Sequence, residues 1–171
     1  KVINFGIIYG MGPFSLAQDL GISQKMAKTY IENYFSRYQG VKGFIDRTIE
    51  TARATKQTST LLGRIRLLPE IDSRNHNLRQ FAERTAVNTP IQGTAADLIK
   101  LAMIEVDRRL REANYQARML LSVHDEIVLE VPPEEIDPVG AMVRSAMENI
   151  WELAVPLKVN LAAGANWSEA H

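Results

Sequence analysis

The sequence contains no cysteine, which removes a disulfide scaffold, a thiolate zinc centre and a cysteine nucleophile together. Any metal must rest on carboxylates and the three histidines, His76, His124 and His171, so hard, oxygen-seeking cations become the default. No apolar run approaches the roughly 18 residues of a membrane span, and the opening Lys1-Val2-Ile3-Asn4 has neither an initiator Met nor a signal-peptide pattern. The expectation is a cytoplasmic protein, or a piece of one. No repeat, low-complexity tract or polar linker marks a domain boundary by composition. Net charge is also missing, yet the zero hides an asymmetry: residues 1–92 hold 13 Lys+Arg and 7 Asp+Glu, and residues 93–171 reverse those numbers. A basic half can meet a polyanion while an acidic half collects cations, although such block differences also occur in chains with no anionic partner.

What is present is an ordinary globular composition: 171 residues, 46% hydrophobic and 23% charged, enough for one well-filled core or two small subdomains. Residues 1–9 read as the tail of a helix stopped by Gly10, Gly12 and Pro13. Ser23 is a good N-cap for a helix over residues 24–37, and a turn at Gln39-Gly40 separates it from a second over 41–55. Residues 58–62 and 65–68 flank Gly63-Arg64 as a short hairpin closed by Pro69. A long helical pattern runs from Asn75 to about Arg111 and should kink or split at Pro90 and Gly93. Runs 117–123 and 127–131 form a hairpin around His124-Asp125-Glu126, stopped by Pro132-Pro133. An amphipathic helix over 135–154 and a strand over 157–161 complete the chain. Helices and antiparallel strands without a βαβ rhythm indicate an α+β fold.

Three constellations could carry chemistry. Lys1, Phe5 and Tyr9, at i, i+4 and i+8, line one helix face as a cation followed by two aromatics, a surface suited to a nucleotide; the same pattern also serves as a core stripe. Arg84, Asn88 and Gln92 repeat that spacing with hydrogen-bond donors that can reach phosphates or minor-groove acceptors, or form a solvated polar face. Arg64, Arg66, Arg74 and Arg79 upstream would add a phosphate-tracking rim, diluted by Glu70, Asp72 and Glu83. His124-Asp125-Glu126 puts two adjacent carboxylates on a hairpin tip, as a Mg²⁺ or Mn²⁺ site requires, where a turn chosen only for shape more usually has Asn-Gly or Asp-Gly; a charged surface turn is the alternative. Glu134, Glu135, Asp137, Glu148 and Glu152 read as a solvated face, so the tip lacks a partner carboxylate.

In this order the constellations resemble the family A DNA polymerases. Lys1-Val2-Ile3-Asn4-Phe5-Gly6-Ile7-Ile8-Tyr9-Gly10 is similar to the second half of that family's fingers helix. Residues 84–97, from Arg84 through Gln92-Gly93-Thr94-Ala95-Ala96-Asp97, resemble its palm helix at the primer-template minor groove, and Val123-His124-Asp125-Glu126 resembles the motif with the second catalytic aspartate. Asn166-Trp167 is similar to the C-terminal strand. The resemblance implies an antiparallel palm sheet with a catalytic hairpin packed by long helices, with residues 1–56 in the fingers and 57–171 in the palm. It implies template-directed DNA synthesis with deoxynucleoside triphosphates, primer-template DNA and two Mg²⁺ ions. Lys1 would hold the triphosphate and protonate the leaving pyrophosphate. Phe5 would pack on the nucleotide, Tyr9 would support the templating position, and His124 would lie near the primer end. Asp125 would ligate the metals with Glu126 assisting, and Arg84, Asn88 and Gln92 would sense pairing from the minor groove.

The family's first aspartate motif, resembling Asp-Tyr-Ser-Gln-Ile-Glu-Leu-Arg, is absent, as are the leading arginine of the fingers helix and the glutamate that excludes ribose. The expectation is therefore a C-terminal fragment or one chain of a split enzyme, inactive without an upstream half. Lys56-Gln57 stands where Gly-Tyr is usual, Gln39 where Pro is expected and Ile65 where Arg is expected. Two other classes compete: a noncatalytic nucleic-acid-binding module, which has no need of Asp125, and a relative of the single-subunit RNA polymerases, which share a Lys…Tyr-Gly helix and a His-Asp hairpin.

Overall fold

The computed structural model describes residues 2–170, and Lys1 lies outside them. The chain divides into two compact units, Lys1–Thr94 and Ala95–His171.

The first unit is helical with one small hairpin. Helices α1 (Val2–Ile8), α2 (Pro13–Leu20), α3 (Gln24–Arg37) and α4 (Gln39–Thr55) precede strands β1 (Gln57–Ser59) and β2 (Ile65–Leu67), a 3₁₀ turn at Pro69–Asp72, and α5 (His76–Asn88). Pro13 opens α2 rather than stopping α1, because at the first helical position its missing N–H removes no hydrogen bond. Ser23 caps α3 as its sequence position predicts: the Met26 N–H donates to its Oγ at 3.3 Å. The break before α4 falls at Tyr38, with φ −112° and ψ 61°, and Gln39-Gly40 is already helical. Two clusters hold this unit. Leu16, Ala17 and Ala27 join α2 to α3, and Ala52, Leu68, Ile71, Ala82 and Ala86 join α4, the 3₁₀ turn and α5.

The β1–β2 loop is five residues, not two, since Ser59 pairs with Ile65. Gly63 takes φ +86°, and the Thr60 N–H donates to Arg64 O at 3.0 Å to close the loop. Buried Thr58 ties the hairpin to α5 through its Oγ1, which donates to Ala86 O at 3.2 Å. The long helical pattern breaks where Pro90 and Gly93 predict: α5 passes through a π-turn, Thr89–Gly93, into α6 (Thr94–Glu112). A Cβ on Gly93 would stand 2.7 Å from Thr60 Cγ2, so the close seating of the hairpin loop on the π-turn requires glycine.

In the second unit, α6 leads to β3 (Arg118–Val123) and β4 (Glu126–Glu130), a 3₁₀ turn at Pro133–Glu135, and α7 (Ile136–Glu148). Val106, Leu110, Ala117, Val139, Val143 and Ala146 form its buried core, with Leu129, Val131 and Met142 packed at its edge. Helix α7 ends at Glu148, short of the expected residue 154, and residues 157–161 form no strand. Among the described residues the β3–β4 sheet has two strands only, and the β-rich residues 157–161 pair with neither edge of it. The segment is held instead by side chains: Glu148 Oε1 accepts the Val159 N–H at 2.9 Å. No described helix is long and apolar enough to cross a membrane. The molecule is a helix-rich α+β protein with two small antiparallel sheets.

Candidate active site and nucleic-acid interface

The sequence-derived site residues fall in both units. In the first, Tyr9 is half-buried in the turn just past the end of α1, not on the helix as the i, i+8 spacing had placed it, and Phe5 belongs to α1 although its side chain lies outside the described residues, as does all of Lys1. Gly10, at φ +82°, brings the chain so near α5 that a Cβ there would stand 3.0 Å from Arg84 Cγ. The residue after Tyr9 thus touches the aliphatic stem of Arg84, an approach that glycine alone permits.

Arg84 is exposed on α5 and Asn88 ends that helix. Gln92 lies in the π-turn, not on α5 as α-helical spacing had placed it, so the row does not continue at one angular step. The Oδ1 of Asn88 is buried and has no hydrogen-bond partner among the described residues. A buried acceptor left unmade costs about 1–3 kcal/mol. Of the four arginines upstream, Arg79 donates from Nη1 to Ser73 O at 3.0 Å and braces its own loop, while Arg66 is exposed on β2.

In the second unit, Val123 pairs with Glu126, which makes His124-Asp125 a two-residue turn. Glu126 therefore belongs to β4 and not to the loop: Asp125 is exposed at the tip and Glu126 is half-buried at the first strand position. His124 has φ +54°, in the left-handed region that glycine, asparagine, aspartate and histidine enter more readily than other residues, at the first position of the turn. Lys56 and Asn114 share this left-handed backbone, at φ +59° and +54°. Register shifts between Met119 and Leu121, so Leu120 is an extra bulged residue below the tip.

No group of three or more His, Cys, Asp or Glu able to hold a metal occurs among the described residues. The tip offers two hard carboxylate donors, a partial set that suits a cation retaining waters and substrate oxygens, as Mg²⁺ does. The acids read as a solvated face divide: Glu135 and Glu148 each accept backbone N–H groups. Position was the available signal for Glu135, an acid following Pro132-Pro133 at the start of a helix.

By architecture the chain is a helix-rich α+β protein whose carboxylate tip rises from an antiparallel hairpin. The model described as DNA polymerase family A matches residues 1–169, and the chain belongs to that family. It is 51% identical over 170 residues to DNA polymerase I of Geobacillus stearothermophilus and 49% identical over 170 residues to that of Lactococcus lactis subsp. lactis. Each alignment covers 99% of this chain and 19% of the relative, so the chain spans about a fifth of their length. A solved structure described as the POL domain of Pol1 from M. smegmatis in complex with DNA primer-template and dNTP superposes with a TM-score of 0.94. It is 44% identical, over 99% of this chain and 30% of that one.

Proposed function

We propose that this chain is the C-terminal part of a DNA polymerase domain and takes part in template-directed addition of deoxynucleotides to a primer 3′-hydroxyl. The observation that carries this reading is the two-residue His124-Asp125 turn, which presents Asp125 on a hairpin tip and sets Glu126 beside it at the head of β4. Support comes from the relatives named DNA polymerase I and from the similar structure, which holds primer-template and dNTP. In this assignment residues 1–56 are part of the fingers and 57–171 part of the palm. The first catalytic aspartate comes from an upstream half that this chain needs for activity.

The reaction is in-line: the primer 3′-oxygen forms a bond to the α-phosphorus, the bond to the bridging α–β oxygen breaks, and pyrophosphate leaves. Asp125 and Glu126 would hold Mg²⁺, or Mn²⁺ in its place, and the bound cation would stabilise charge on the phosphoryl oxygens and acidify the attacking hydroxyl. Lys1 would hold the triphosphate and protonate the pyrophosphate, while Phe5 would pack on the sugar and base. Tyr9 would support the templating base, and His124 would lie near the primer end. Arg84, Asn88 and Gln92 would reach the acceptors that every base pair shows in the minor groove, so they would sense pairing rather than sequence.

Primer extension tests this. The chain combined with an upstream half carrying the missing aspartate should extend a labelled primer with Mg²⁺ and four deoxynucleotides, and Asp125→Ala should abolish extension. No extension by a demonstrably assembled pair would overturn the assignment.

A further inference from the structure

We infer that Glu135 is a positioning residue that sets the direction of the catalytic hairpin from its base; the inference rests on the polymerase reading of the tip. The Glu135 carboxylate accepts the Gln116 N–H with both oxygens, at 3.0 Å each, and the Ala117 N–H with Oε2 at 3.0 Å. Those two amides are the last before β3 begins, and Glu135 itself closes the 3₁₀ turn that follows β4. Its own N–H donates to Pro132 O at 2.9 Å, so the turn carrying the carboxylate is tied as well. One side chain therefore joins the start of β3 to the end of β4 across 18 residues of sequence.

The clamp sits where the ribbon is anchored. Ala117 is buried in the core with Leu129 and Val131 packed beside it, whereas β3 beyond its base is largely exposed, including bulged Leu120 at 58%. The tip stands six strand residues from Ala117, about 20 Å away. A rotation of about 3° at the base moves a point about 20 Å away by about 1 Å, and a misplacement of that size can cost about a hundredfold in rate. Glu135 also stands at the N-terminus of α7, the end of a helix where an acidic side chain is favourably placed. Glutamine in its place keeps the shape but turns at least one acceptor into a donor facing the same amides.

Two measurements test this. In the polymerase assembled with its upstream half, Glu135→Gln should lower the single-turnover rate per folded molecule about tenfold or more. The apparent dissociation constants for DNA and deoxynucleotide should stay within about twofold. In the 171-residue chain itself, Glu135→Gln should accelerate hydrogen exchange of the Gln116 and Ala117 amides at least tenfold and shift the amide resonances of His124 and Asp125. If the clamp is only structural, melting temperature falls while the rate per folded molecule and the tip resonances stay unchanged, and the inference is overturned. If the wild-type pair fails to extend a primer, the polymerase reading fails, and the exchange and resonance data still decide whether Glu135 sets the tip.

Discussion

At the scale of single residues, the informative positions are those held at a local cost. Asn88 keeps a buried Oδ1 without a partner among the described residues, which penalises the folded chain by about 1–3 kcal/mol. Asn88→Leu should therefore leave thermal stability within about 1 kcal/mol of the original or raise it, read by calorimetry. The same substitution should weaken primer-template binding about tenfold, read by anisotropy, and a large loss of stability with unchanged binding would assign Asn88 to packing. Glu105 is a contrast. Hydrogen bonds from Arg108 first and Arg109 second hold its carboxyl at about pKa 2, below the usual 4.5. A depressed carboxylate adds stability that is fully present above the unfolded value and is lost as pH falls from about 4.5 through about 2. Glu105→Gln should accordingly flatten the decline in melting temperature between pH 5 and pH 2, and an unchanged slope would remove Glu105 from the acid response.

Among elements, the π-turn between α5 and α6 shows what local rules reveal and what they leave out. Pro90 and Gly93 mark the break in the sequence, because proline removes an amide and glycine weakens a helix. Why glycine is needed is a tertiary fact: Thr60 of a distant hairpin loop occupies the space, and the Leu61 N–H donates to Thr94 Oγ1 at 2.9 Å. Gly93→Ala should cost about 1–3 kcal/mol through the forced shift of Thr60, measured by urea unfolding, and Gly93→Ala with Thr60→Ser should recover part of it. The His124-Asp125 hairpin was equally legible, since 117–123 and 127–131 are β-rich, nearly continuous apolar runs with a stop at Pro132-Pro133. Its register was not, and register places Glu126 on a strand and leaves His124 at positive φ. Residues 157–161 carry the composition of a strand but find no strand partner among the described residues, a condition that no local window contains.

For the whole molecule, the family was readable because three spaced motifs occur in one order, while the contacts that support them were not. The meeting of Gly10 with the Arg84 stem and the reach of Glu135 to Gln116 and Ala117 are long-range pairings set by packing, invisible to spacing along one helix. The chain belongs to DNA polymerase family A and superposes on a polymerase domain with a TM-score of 0.94. We propose that Asp125 acts in the chemical step and not in holding DNA. The most direct test is single-turnover incorporation by the assembled enzyme, comparing wild type with Asp125→Ala at saturating DNA and Mg²⁺, alongside the DNA dissociation constant. The rate should fall by about a thousandfold or more while DNA affinity stays within a few-fold, as for removal of a group that acts in the transition state. An unchanged rate, or a rate loss explained entirely by lost DNA binding, would contradict it.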